Sequence, residues 1–325
     1  MRPALALLVV LCAALAACGA EGESPLAVER TIPLPGVTGR IDHLAVDLGH
    51  QRLFVAEVGS GGLDVIDLRT GQRLKRAEGL KEPQGLAYLP GPNEVVVANG
   101  GDGSVRFFRA DDLAPVGLVS LEGDADNVRQ DRKSGLLVVA DGKGLALIDP
   151  LKRQQVGEIT LGDHPEGFQI DPASERAYLN IPGQRRIAVV DLLAHREVAS
   201  WPAEGLIWNF PLALSTGVVA TAFRAPPTLM TFDAATGRRT SRASTCGDSD
   251  DVHFDPKRRR LYVTCGSGMV ETFAAGEAGY RSIGRTRTRP GARTALFVPE
   301  LDRLFVAARA GDGEQAQIVV LKPQD

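Results

Sequence analysis

Ten polar residues of this sequence recur at equivalent positions of an internal repeat, and their types could bind an ion or a small polar molecule. Counting back five residues from the end of each of seven similar apolar segments reaches a polar residue every time, and the next residue is often polar as well. The set is Asp42, His43, Gln84, Asp126, Asn127, Glu166, Asn209, Asp250, Asp251 and Arg293. Converging carboxylate and amide oxygens are the ligands that Ca²⁺ prefers.

Several interpretations of these residues stay open. In the first, they bind a small ligand or another protein, and Arg293 either pairs with a neighbouring carboxylate or holds the carboxylate of an acidic ligand. In the second, a cation such as Ca²⁺ polarises a carbonyl and activates water for hydrolysis, with His43 or Asp42 as base. Its ligands would be Asp126, Glu166, Asn209 and Asp250. A solvated surface without a ligand, on a protein that acts only as a scaffold, is the structural alternative.

Motifs of nucleophilic, haem or zinc chemistry are missing from the sequence, which contains no Gly-x-Ser-x-Gly, Cys-x-x-Cys-His or His-Glu-x-x-His. The glycine-rich stretches at 59–62 and 100–103 read as turns, because no helix follows them to cradle a phosphate. His164 and His253 read as a loop histidine and a core or channel histidine with structural roles. Whether the protein is an enzyme therefore stays undecided.

The elements that must position the ten residues come from a repeat of about 42 residues. Each copy has a short apolar segment, a turn of about four residues, a second strand such as 52–55 or 303–306, and two further strands. There are seven copies, of which the one between Arg176 and Arg260 is degenerate and has a shorter turn. Four short strands in each copy predict an all-β fold, a seven-bladed β-propeller formed as one domain over residues 28–325.

The two ends of the repeat predict how the ring closes. The last copy has a third strand at 317–321 but no fourth, whereas residues 28–34 match the fourth-strand pattern ahead of the first copy. We predict that the N-terminal strand completes the last blade, which removes the exposed sheet edges. In a propeller the first strand of each blade lines the central channel, so the ten polar residues would gather at one mouth of that channel.

Residues 52–71 and Leu261–Thr264 resemble the repeat of the YVTN (YncE-like) seven-bladed propellers, a family of extracytoplasmic bacterial proteins. The resemblance extends over residues 28–321. It implies a propeller that acts as a binding protein, and the family lies near propellers that hydrolyse lactones. The binding module and the metal-dependent, lactonase-like hydrolase therefore both remain as functions, because a fold does not define its chemistry.

The N-terminus predicts export and anchoring. In residues 1–17, Arg2 precedes an uncharged run of 14 residues, which suits a signal peptide and is short for a membrane span. The segment 15–18 resembles a bacterial lipobox, in which Cys18 becomes the lipidated first residue, although an ordinary signal peptide remains the alternative. Residues 18–27 would form a tether. We therefore expect a lipid-anchored protein of the bacterial cell envelope, periplasmic or extracellular.

Composition restricts the partners. The chain has 325 residues, of which 44% are hydrophobic and 5% aromatic, and its net charge is −3. The apolar content excludes disorder, and the few aromatics and mild negative charge disfavour nucleic acid. We expect a monomer that meets the membrane through its lipid anchor and a small ligand or envelope protein through the channel mouth.

Two cysteines remain after Cys12 leaves with the signal peptide and Cys18 is acylated. Cys246 lies before the first strand of the sixth copy, and Cys265 ends its second strand. A disulfide would require the loop before this strand to fold back until the two Cα atoms are about 4.4–6.8 Å apart. Outside the cytoplasm a disulfide and two free thiols both stay open at this point.

Overall fold

The computed structural model describes residues 24–311 and 313–325, and these residues form seven four-stranded antiparallel sheets. The predicted signal peptide at 1–17, the proposed lipidation site Cys18 and the first part of the tether lie outside the described residues. The all-β, seven-bladed propeller predicted from the repeat is confirmed. Helical structure in the described ranges is limited to a 3₁₀ turn at Pro182–Gln184, and no helix there is long and apolar enough to cross a membrane.

Each sheet is one blade, and β1 (Leu26–Pro33) precedes the first of them. Blade 1 contains β2 (Leu44–Asp47), β3 (Arg52–Glu57), β4 (Gly62–Asp67) and β5 (Gln72–Glu78). Blade 2 contains β6 (Pro83–Leu89), β7 (Glu94–Asn99), β8 (Ser104–Arg109) and β9 (Pro115–Ser120). Blade 3 contains β10 (Ala125–Gln130), β11 (Leu137–Asp141), β12 (Gly144–Asp149) and β13 (Gln154–Thr160). Blade 4 contains β14 (Phe168–Ile170), β15 (Arg176–Ile181), β16 (Arg186–Asp191) and β17 (Arg196–Pro202).

Three further blades complete the ring. Blade 5 contains β18 (Ile207–Ser215), β19 (Val218–Ala225), β20 (Pro227–Asp233) and β21 (Arg239–Ser244). Blade 6 contains β22 (Ser249–Asp255), β23 (Arg260–Cys265), β24 (Met269–Gly276) and β25 (Gly279–Arg287). Blade 7 contains β26 (Thr294–Val298), β27 (Arg303–Ala308), β28 (Gln317–Pro323) and, as its outer strand, β1.

Ring closure follows from the pairing of β1 with β28. The two strands are antiparallel, with Val28 opposite Leu321 and Ile32 opposite Ile318. This confirms the predicted pairing, although β1 begins at Leu26, two residues before the predicted start. The N-terminal strand thereby gives blade 7 its fourth strand and covers the edge that β28 would otherwise expose.

The hydrophobic core lies between the blades and surrounds the channel. Adjacent blades share a cluster of buried apolar side chains at each of the seven interfaces within the described ranges. Phe54 of blade 1 and Leu86 of blade 2, for example, belong to one such cluster. All residues of the second strands β3 and β7 are buried, whereas the outer strand β5 is largely exposed. Because burial of a large apolar side chain contributes about 1.5–3 kcal/mol, these interfaces are a large part of what stabilises the ring.

The turn between first and second strands explains the sequence repeat. In each blade a residue with positive φ lies one or two positions before the second strand, such as Gln51 (53°), Asn93 (55°) and Gly135 (76°). In blade 3 the carboxylate of Asp131 accepts a hydrogen bond from the backbone N–H of Ser134 (3.2 Å). Such aspartate-capped turns fix the register of each hairpin and thereby the position of the first strand on the channel.

Candidate functional site

The starts of the first strands surround a cavity of about 300 Å³ at one mouth of the channel. The structure brings nine of the ten predicted residues to its wall: Asp42, His43, Gln84, Asp126, Asn127, Glu166, Asp250, Asp251 and Arg293. They come from blades 1, 2, 3, 4, 6 and 7. Cavities of this size hold small molecules rather than macromolecules.

Asn209 does not line the cavity, which corrects the predicted site. In blade 2 a β-bulge includes Gln84, which faces the cavity, but in blade 5 the bulge begins only after Asn209, which pairs with Phe223. Its amide donates to Asn180 Oδ1 (2.9 Å) and to the carbonyl of Arg186 (3.0 Å). The strand of blade 5 ends at Ser215, which pairs with Val218, one residue beyond the Leu214 from which the count was made. The equivalent residue is therefore Phe210, which does line the cavity.

Arginines neutralise the acidic residues at the rim of the cavity. Arg224 and Arg293 both contact Asp250, with Arg293 Nε 2.9 Å from Asp250 Oδ2. Arg40 forms an ion pair with Asp42. Arg40 and Arg224 were not anticipated from the sequence. They occupy the loop before a first strand and the end of a second strand, and both of these places reach the same mouth.

The predicted calcium ligands do not fit a calcium site. Both oxygens of Asp250 contact guanidinium groups, Asn209 faces away, and Asp126 lies 3.8 Å from His164. Ca²⁺ requires about six to eight converging oxygens. Within residues 24–311 and 313–325, no group of three or more His, Cys, Asp or Glu side chains is arranged to hold a metal ion. Protein cations take the place that a bound ion would have among these acids.

Burial shifts the remaining acids toward their neutral forms. It raises the pKa of Asp251 to about 7, even though His43 and a hydrogen bond from the backbone N–H of Ala295 (2.7 Å) favour the charged form. It raises the pKa of Asp250 to about 6 against the opposing effect of the rim arginines. Burial together with the nearby Asp126 carboxylate also raises the pKa of Glu166. The cavity can therefore offer both hydrogen-bond donors and acceptors near neutral pH.

Three histidines extend this set of titratable groups. Burial lowers the pKa of His43, but the carboxylates led by Asp42 outweigh it, so the pKa lies above its ordinary value. The same opposition raises the pKa of His164, where burial lowers it but the carboxylates of Asp126, Glu166 and Asp124 together outweigh burial. Burial lowers the pKa of His253 to about 4, which keeps it neutral. His164 is thus a cation of the cavity wall, a role that its loop position in the sequence did not predict.

Arg129 lies farther along the channel and has a different environment. It is on β10, its guanidinium donates to the carbonyl of Val128 (2.8 Å), and it lies 5.5 Å from the centroid of the Phe168 ring. No carboxylate in the described part of the chain lies within 4.0 Å of this guanidinium. Strand alternation is the signal that could have identified Arg129. It lies two residues before Asp131, and His253 lies two residues before the equivalent Asp255; both side chains line the cavity.

A disulfide joins Cys246 to Cys265 in the structure, with the Cα atoms 5.9 Å apart. Because Ser249 lies opposite Cys265 in the hairpin, the loop before β22 folds back to make the bridge. This loop carries Asp248, whose carboxylate lies 3.2 Å from Arg293. The disulfide therefore holds part of the rim in place.

The fold and the cavity define the class of this protein: a seven-bladed β-propeller with a charged cavity at the mouth of its channel. It is similar to a chain in the crystal structure of a mitotic checkpoint complex, with a TM-score of 0.79 and 12% sequence identity over 100% of both chains. At this identity the likeness shows the fold alone, and 1725 chains of solved structures match this chain, so it selects no chemistry. No protein-family model and no curated protein matches the sequence. The fold is compatible with a protein-binding module.

Proposed function

We propose that this propeller is a binding module whose channel mouth holds a small polar ligand. The observation that carries this proposal is Asn127, which lines the cavity with only 3% of its surface exposed and forms no side-chain hydrogen bond with any described residue. An unpaired buried amide costs about 1–3 kcal/mol, and a ligand in the cavity would recover that cost.

The alternative function, a metal-dependent (Ca-type) lactonase-like hydrolase, draws no support from this geometry. Of its four proposed ligands, Asp250 is engaged by arginines and Asn209 turns away from the cavity, and its proposed base Asp42 pairs with Arg40. We therefore favour binding over hydrolysis.

A panel of small molecules tests the binding function. Anionic, neutral and cationic compounds are added to the purified full-length protein, and thermal unfolding and calorimetry are measured. We expect at least one class to bind saturably, and Gln169→Trp, which fills the cavity wall, to abolish that binding; Gln84→Trp at the rim serves if the first variant unfolds. Glu158→Gln, on the outer strand β13, is the control and keeps the affinity. Failure of every compound, or binding that survives both Trp variants, refutes the proposal.

The sequence supports the further proposal that the module is a YVTN-type (YncE-like) lipoprotein of the bacterial cell envelope. The two ends of β1 lie on opposite faces of the propeller. Pro33, at its end, pairs with Gln317, which also pairs with the end of β27 at the mouth. Leu26, at its start, pairs with Pro323 on the other face. The first described strand thus begins on the face opposite the cavity. Mass spectrometry of the mature N-terminus tests the lipid, and Cys18→Ser should release the protein from the membrane fraction. An unmodified Cys18 refutes the anchor.

A further inference from the structure

The arginines of the cavity differ in whether a carboxylate neutralises them. Arg40, Arg224 and Arg293 each form ion pairs with aspartates. Arg129 lies in the same acid-rich cavity and forms none with a described residue. Its guanidinium carries five N–H donors, and the only side-chain hydrogen bond found for it in the described chain goes to the carbonyl of Val128. Most of its donors are therefore free to meet a molecule in the cavity.

The surroundings of Arg129 hold its guanidinium in place for recognition. The Phe168 ring lies 5.5 Å from it, a distance at which cation and ring attract each other. Burial lowers the pKa of Arg129, which reports that its charge is poorly solvated, although Asp251 and Asp126 oppose this effect. A poorly solvated guanidinium gains most from an anion that accepts two parallel hydrogen bonds. A carboxylate has that geometry.

An unpartnered buried acceptor, the side-chain oxygen of Asn127, lies beside Arg129. Asn127 is two residues earlier on β10, is 3% exposed, and lines the cavity without a hydrogen bond to any residue that the structure describes. Its amide and the guanidinium of Arg129 come from one strand and reach one cavity. Arg129 therefore offers N–H donors to an anionic group, whereas the Asn127 oxygen accepts a hydrogen bond from a donor on the same ligand.

The acceptors nearer the mouth restrict the rest of the ligand. Glu166 has no ion-pair partner within 4.0 Å in the described ranges, and Asp126 precedes Arg129 by three residues on the same strand. Three residues of extended chain span about 10 Å at most. A ligand that reaches from Arg129 to these carboxyl groups would carry hydrogen-bond donors, as hydroxyl or amine groups, at its other end.

We infer that the cavity is specific for small organic carboxylates that carry hydroxyl or amine groups, that Arg129 holds the carboxylate, and that the side-chain oxygen of Asn127 accepts from a hydroxyl or amine. This inference rests on the proposed binding function and names the chemical class of its ligand. The rim arginines do not supply this specificity, since their charges are already used by Asp42 and Asp250.

Matched pairs of compounds test the inference: hydroxy and amino carboxylates, each beside its primary amide, titrated calorimetrically into the full-length protein. We expect the acids to bind at least tenfold more tightly than their amides. Arg129→Gln should weaken the acids at least tenfold and remove the preference over the amides, and Arg129→Lys should restore part of it. The control is Arg153→Gln, because Arg153 also lies over a phenylalanine ring (4.1 Å) but outside the cavity. It should keep the preference.

The possible failures are distinguishable. If amides, other neutral compounds or amines bind as tightly as the acids, the carboxylate inference is overturned while the binding function stands. Acids that bind Arg129→Gln as tightly as the unsubstituted protein also overturn it. If no compound of any class binds, the proposed function itself fails. Should Arg129→Gln not fold, the ratio of acid to amide affinity and the Arg129→Lys variant still decide the question.

Discussion

Replacing Asp251 by asparagine should stabilise the fold at alkaline pH and much less so in acid. Burial raises the pKa of Asp251 from 3.8 to about 7 in the folded protein. The folded state therefore binds this proton more tightly than the unfolded state does, so stability falls as the pH rises from about 4 to about 7 and is level above that range. Asparagine is uncharged at every pH and still offers an oxygen to the backbone N–H of Ala295, which lies 2.7 Å from the carboxylate.

The size of the effect follows from the pKa difference. About three units correspond to about 4 kcal/mol at most, because each unit is worth about 1.4 kcal/mol. Asp251 is only partly buried and lies near His43, which favours its charged form. We therefore expect a gain of about 1–4 kcal/mol at pH 8 and about a quarter of that gain at pH 4.5.

Urea unfolding of both proteins at pH 4.5, 6 and 8 measures this difference. Asp102→Asn is a control of opposite sign. Burial raises the pKa of Asp102, but hydrogen bonds from Ser104 and Arg106 outweigh burial, so the pKa lies below its ordinary value. The charge of Asp102 therefore stabilises the fold above the unfolded pKa, and this contribution is lost in acid. That variant should be less stable at pH 8. A gain for Asp251→Asn that is equal at pH 4.5 and pH 8, or a loss at pH 8, would show that burial does not control this carboxyl group.

Three other substitutions test the structure around the cavity. Gly85→Ala places a Cβ 2.2 Å from the carbonyl oxygen of Asp126, so we expect a loss of about 2 kcal/mol or more in urea unfolding and weaker ligand binding as the bulge moves. Replacing Cys246 and Cys265 together by serine opens a bridge between residues 19 apart and should cost about 3 kcal/mol. Tyr262→Phe removes a 2.7 Å hydrogen bond from its hydroxyl to a buried aspartate, at a cost of about 1–3 kcal/mol.

Each of these substitutions has a control. A Cβ at Gly91 meets nothing within 4 Å, so Gly91→Ala should be near neutral, and equal losses at Gly85 and Gly91 contradict the steric argument. The serine double variant should unfold like the reduced unsubstituted protein, and stability equal to the oxidised protein excludes a role for the bridge. Tyr280→Phe is the control for Tyr262→Phe. If Tyr262→Phe and Tyr280→Phe lose the same free energy of unfolding, the loss comes from packing and not from the hydrogen bond of Tyr262.

Local sequence was sufficient to predict the blades. The turn before each second strand depends on a few adjacent residues, such as Asp131 with Ser134, and the alternation of apolar side chains fixes which faces are buried. The pairing of residues 28–34 with 317–321 was also predictable, because a missing strand at one end matched a surplus strand at the other. Residues close together in the sequence determine each hairpin and which strand face is buried, and the same pattern recurs in all seven blades.

The chemistry of the mouth depended on contacts that no repeat contains. Whether a carboxylate is free or neutralised was decided by partners from other blades, as in the pairing of Arg224 with Asp250 across 26 residues. Asn209 misses the cavity because the turn of blade 5 is shorter and its first strand ends at Ser215, one residue later than the apolar pattern indicates. The sequence by itself determined the ring and the polarity of its mouth, because these follow from local pairing and alternation. Only the tertiary structure decided that Arg129 lacks a carboxylate partner. Charge pairing depends on the distances between side chains of different blades, and these distances are set when the ring closes.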